Sequence, residues 1–199
     1  MLINDDIVAL DADALRTSTG LVAQATVADL ARPTPCDGWT LGDLLDHMTA
    51  QHYGFAAASA GDGDRAHWRV RKLGDDAVPA YLTASEHVLA AFAAEGVLNG
   101  EFPLPEFPGG PAFPARQAIS FHFVDYVVHS WDVAAALGRP VSFEPTLLNV
   151  ALTVARAVPG GEARLRSGAA FGPEVACTGE SPLDQIVAAL GRTPGWPQL

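Results

Sequence analysis

Residues 121–140, FHFVDYVVHSWDVAAALGRP, constrain the fold more than any other stretch. Phe121, Phe123, Val124, Tyr126, Val127, Val128, Trp131 and Val133 place apolar side chains on nearly every side of this segment. The pattern predicts a helix buried inside a bundle rather than one lying on a surface. Asp125 and His129 stand four residues apart, and an α-helix returns to the same face after that interval. A carboxylate and an imidazole therefore project side by side. Burying both without a hydrogen bond, counter-charge or cation would cost on the order of several kcal/mol. Gly138, with Arg139 and Pro140 behind it, marks the stop.

The remaining apolar periodicity supplies partners for such a helix. Residues 5–31 read as one long first helix, bent near Ser18 and Gly20. Pro33, Pro35 and Gly38 break it, and Thr40 with Asp43 three residues on forms a capping-box pattern that predicts a second helix from Leu41 to the Gly61 break. A third helix is expected over 79–95. Residues 99–114, dense in Pro, Gly and Phe, read as an extended or hairpin-like crossover, and the central helix runs from Ala115 to Leu137. Beyond Pro140, a helix is expected over 147–158, a pair of short strands over 168–178, and a short capped helix from Ser181 to Gly191. The expected architecture is mainly α. It comprises an antiparallel four-helix bundle over residues 1–140 and a small C-terminal α/β extension over 141–199, packed on the bundle.

Composition narrows the partners. A formal net charge of −11 over 199 residues, with no basic run, disfavours nucleic acid and anionic membrane surfaces. No apolar stretch reaches the ~20 residues that span a bilayer, and the first residues carry no basic, then apolar, leader pattern, so a cytoplasmic protein is expected. Cys36 and Cys177 are expected to be reduced thiols rather than a disulfide, with Cys36 packing beside Trp39.

The second helix carries His47 and His52. Five residues turn a helix by about 140°, so the two imidazoles face different directions. His47, beside Leu44, Met48 and Gln51, is taken as the inward one. The chemical expectation is a divalent metal held by His47, Asp125 and His129, with zinc first and nickel or iron next, and at least one position open to water or substrate. His122 lies about 10.5 Å along the axis from His129, too far for easy sharing of one ion. His122 and Asp132 are therefore assigned supporting roles around the ligands, Asp132 as the acceptor for the second ring nitrogen of His129.

TPCDGWTLGDLLDHM near residue 34, FVDYVVHSWDVAAALG near residue 123 and the closing FGPEV and LGR together resemble the DinB-like superfamily. Within it, the chain resembles relatives of the N-terminal domain of mycothiol-dependent maleylpyruvate isomerase, of actinobacterial type. The resemblance implies a DinB-type four-helix bundle whose metal is bound by the His of D-L-L-x-H and by an acid-x-x-x-His pair, which are His47, Asp125 and His129 here. It also implies mycothiol or a related small thiol as cofactor, and isomerisation or S-transfer on a small molecule. The isomerase carries Glu where this chain has Asp125, and its substrate-gripping C-terminal residues do not carry over. Two other readings remain open: a non-catalytic bundle with a structural metal, and a metal-free bundle that binds a ligand or partner. A homodimer is one assembly open to such a bundle, with no stripe of the sequence marking an interface.

Overall fold

Four of the six α-helices begin where a side chain or a proline relieves the unpaired amides of a first turn. The computed structural model describes residues 6–107, 110–165, 169–177, 179 and 181–197. Helix α1 (Ile7–Val22) opens on Asp6, whose carboxylate accepts from the Val8 and Ala9 amides at 3.2 Å each. Helix α2 (Leu41–Ser59) opens on the expected reciprocal box between Thr40 and Asp43. Helix α3 spans Ala77–Phe92 and α4 spans Ala115–Leu137. Gly138 ends α4 at φ +65°, and the Arg139 amide reaches back to the Ala134 carbonyl at 2.8 Å. Helices α5 (Pro145–Ala157) and α6 (Pro182–Ala189) both start on proline, where a missing N–H costs nothing.

Helix α1 packs on α4 and on α3, and α2 packs on α3 and on α4, forming the four-helix bundle. His47 of α2 lies against His129 of α4 while His52 of α2 meets His122, so the two helices run in opposite directions. Leu44, Leu45, Met48, Tyr81, Phe92, Phe102, Phe123 and Tyr126 are fully enclosed between them. Helices α5 and α6 pack against one another and against α4.

Three expectations are corrected. The first helix does not continue to Ala31: α1 stops at Val22, and a separate 3-10 turn, Val27–Ala31, opens on its own Thr26–Asp29 capping box. That local cap competes successfully with helix propagation. Ser18, read as a bend, lies in the intact helix and bonds the Tyr81 hydroxyl at 2.6 Å. The strand pair expected in the C-terminal extension does not form over its described residues, whereas the hairpin-like crossover read over 99–114 does, with β1 (Glu101–Pro103) pairing antiparallel with β2 (Ala112–Pro114). Residues 169–177 contain no strand; Gly168 and Thr178, the ends of the expected pair, lie outside the described residues. Among the described residues no helix is long and apolar enough to cross a membrane. Both cysteines are free.

Candidate metal centre between α2 and α4

The i, i+4 spacing on α4 does what helical geometry requires. His129 Nε2 faces Asp125 Oδ1 at 3.3 Å, and the His47 ring lies edge-on to His129 with centroids 5.6 Å apart. One donor atom from each of His47, Asp125 and His129 lies within 4.8 Å of the others. His129 is buried, whereas His47 and Asp125 are part-buried and open the cluster towards solvent beside Trp39, whose ring centre is 5.1 Å from His47.

The far side of His129 is closed by charge. Its Nδ1 lies 2.9 Å from Asp132 Oδ2, the role expected for that aspartate. The same oxygen accepts from Arg192 Nη2 at 3.0 Å and from the Cys36 thiol at 3.2 Å, while Arg192 Nε reaches Asp132 Oδ1 at 3.3 Å. Burial opposes ionisation of Asp132, yet the Arg192 charge and the bond from His129 bring its pKa down to about 2. Burial likewise opposes charge on His129. The Asp125 carboxylate and the bond to Asp132 outweigh it and raise the imidazole to about 10. Burial, then repulsion from His129, holds His47 down to about 4 despite Asp125, so it presents a free lone pair at neutrality.

This donor set fits a divalent cation. If Nδ1–H of a neutral His129 is given to Asp132, its Nε2 lone pair points at a carboxylate oxygen 3.3 Å away. Two acceptors so opposed require a proton or a cation between them. A tetrahedral ion with bonds of ~2.0–2.1 Å separates its ligand atoms by about 3.4 Å, close to the spacing found. A second trio, Cys36, His129 and Asp132, also converges. There the imidazole and carboxylate already share a proton, and the Arg192 guanidinium stands where a second cation would be repelled. The first trio is the better cradle.

Metal entry at neutral pH must displace the His129 proton, while His47 has none to lose. The apparent affinity for Co²⁺ is therefore expected to rise about tenfold per pH unit between pH 7 and 9, with one proton released per ion. Chelator competition across that range checks this, and a flat profile would contradict the assignment.

Two sequence readings change. His52, taken as the outward residue of its pair, is fully buried, and it is His47 that remains part-buried. Both face the bundle interior at different levels, since α2 is enclosed by α3 and α4 together. His122 does not support the ligands. Its Nδ1 lies 2.7 Å from Asp11 Oδ1 and its Nε2 lies 3.2 Å from His52 Nδ1, and His52 Nε2 meets the Ser85 hydroxyl at 3.0 Å. These four residues form a separate polar chain buried across all four helices. Sequence reasoning passed over Arg192 and the polar role of Cys36. The LGR motif carrying Arg192 was the only available signal.

The mainly helical bundle, with its small two-stranded sheet, is of the DinB-like type. The sequence profile of the mycothiol maleylpyruvate isomerase N-terminal domain family matches residues 12–134, and the chain belongs to that family. Two uncharacterized proteins from two strains of Mycobacterium tuberculosis are each 33% identical over 181 residues, covering 87% of this chain and 90% of theirs. The crystal structure of the mycothiol-dependent maleylpyruvate isomerase superposes with a TM-score of 0.60 at 14% identity, over 82% of this chain and 70% of that one. A histidine-to-alanine mutant of that isomerase superposes equally well. The shared fold places this chain's cluster in a bundle of the same type.

Proposed function

We propose that the protein is a divalent-metal-binding enzyme that uses mycothiol or a related small thiol for isomerisation of, or S-transfer to, a small molecule. Zinc is the favoured ion, with nickel or iron as alternatives, and His47, Asp125 and His129 are its ligands. The observation that carries the reading is the convergence of three lone-pair donors from two helices on one point, with only three protein ligands for an ion that takes four or more. The family's name supplies the thiol and the reaction class. When bound, such an ion lowers the pKa of a coordinated thiol and polarises a carbonyl.

The chain's own residues prepare that chemistry. Asp132 fixes the His129 tautomer by taking Nδ1–H, leaving Nε2 directed at the ligand cluster. Arg192 neutralises Asp132, so the buried carboxylate does not need a proton of its own. Two neutral imidazoles and one carboxylate leave a bound dication with a net positive charge, which favours an anionic sulfur. The shorter Asp125, in place of glutamate, holds its carboxylate close to α4. Trp39 and the part-buried edge of His47 frame the entrance for a small molecule.

Protein purified without a histidine tag is expected to carry about one equivalent of divalent metal. The absorption of its Co²⁺ form should shift when mycothiol is added. A protein without metal, or a Co²⁺ spectrum indifferent to the thiol, would overturn the proposal.

A further inference from the structure

We propose that Glu106 is the proton acceptor of this site, taking the proton from a small thiol as its sulfur enters the position left open by His47, Asp125 and His129. The assignment rests on the thiol reading above and adds the residue that handles the proton.

The loop leaving β1 is laid across the two helices that carry the ligands. Its Pro105 carbonyl accepts from Arg65 Nη2 at 2.6 Å, which anchors the backbone. Glu106 Oε2 accepts from Gln51 Nε2 at 2.9 Å. Gln51 is itself buried and lies four residues after His47, one turn further along the same face of α2. The next loop residue, Phe107, packs on Phe121 with ring centres 5.5 Å apart. Phe121 lies four residues before Asp125, one turn away on α4. Because α2 and α4 are antiparallel, both steps lead in the same direction. The Glu106 carboxylate is therefore held about one helical turn along α2 and α4 from the ligand cluster, on the side that Gln51 and Phe121 mark.

The other acids nearby are committed. Asp125 directs an oxygen at the cluster, and Asp132 already accepts from His129, Arg192 and Cys36. Glu106 has one neutral amide donor on Oε2. Glu106 is exposed, yet partial desolvation, and beyond it the charge of Asp125, holds its carboxyl above the ordinary range against the bond from Gln51 and the charge of Arg65, a bias towards accepting a proton. In the step proposed, the thiol S–H bond breaks, sulfur keeps the electron pair, and the proton forms an O–H bond on Glu106. The same proton is available for return to the product when the sulfur leaves.

The test follows protons rather than turnover. Co²⁺-substituted wild type and Glu106→Gln are titrated with mycothiol at about pH 7.5, where a free thiol is mostly protonated, in weak buffer with an indicator dye. The variant is expected to release more protons per thiol bound than wild type, by up to one, while its Co²⁺ affinity stays within about twofold. Equal proton release with normal thiol binding overturns the role of Glu106 alone. A large loss of Co²⁺ affinity in the variant makes Glu106 a ligand and overturns it too. If neither protein's spectrum responds to mycothiol, the thiol reading falls and takes this assignment with it.

Discussion

His129→Ala is expected to abolish stoichiometric metal binding and, with it, the thermal stabilisation that metal confers. His129 is the hinge of the cluster, because its two ring nitrogens face Asp125 and Asp132 in turn. An ion that binds only the folded chain stabilises it by about 2.7 kcal/mol at a hundredfold excess over Kd. For a chain of this size that corresponds to a rise in melting temperature of roughly 5–10 °C. Wild type should show the rise on adding Zn²⁺ to the apo protein, and His129→Ala should not. Differential scanning calorimetry of both proteins, with and without metal, decides the matter. An equal rise in the two would move the ion elsewhere. The variant apo protein should also lose the pH dependence that the imidazole imposes. A group raised from 6.5 to about 10 stabilises the fold fully below pH 6.5 and ceases to do so as pH climbs through 10.

The second large effect lies away from the cluster. His122→Ala should destabilise the protein by about 3–5 kcal/mol, because it strands the buried Asp11 carboxylate and the His52 ring together. Asp11 is 1% exposed, its Oδ2 has no hydrogen-bond partner among the described residues, and burial raises its pKa ahead of the opposing pull from His122. The lost ring also leaves a void among Phe55, Phe92 and Tyr126, whose rings lie 5.0, 5.1 and 4.3 Å from it. Urea denaturation should reveal the full loss. Pairing Asp11→Leu with His122→Phe should recover the part due to the carboxylate, since replacing both members of that pair by apolar groups removes the stranded acid while His52 Nδ1 still loses its partner. A single variant within 1 kcal/mol of wild type would show that this chain of side chains is not needed for stability.

Local signals proved the most legible. The bounds of α4 follow from Pro114 before it and Gly138 after it, and the start of α2 follows from Thr40 and Asp43, because caps act within a turn. The neighbouring placement of Asp125 and His129 is likewise a property of one helix. The approach of His47 to them is tertiary, and family resemblance supported it more than spacing did. What spacing cannot express is contact between distant segments. Asp11 and His122 are 111 residues apart, and Cys36 and Arg192 are 156 apart. A buried arginine in a polar C-terminal segment has the same local pattern as an exposed one. The error over His52 has the same root: rotation on one helix reveals direction but not which neighbours enclose it.

Arg192 follows directly on Gly191, which holds φ +84° and lies so near Gly172 that an added Cβ would meet that backbone at 2.9 Å. Two residues without side chains thus govern where a guanidinium arrives 60 positions along the chain from its carboxylate. A single methyl placed on that bend would unseat the cation, and the resulting imbalance would be felt on the opposite side of the imidazole ring, in how strongly Nε2 competes for a Lewis acid. The C-terminal segment is thereby tied, through Arg192 and Asp132, to the imidazole of the candidate centre.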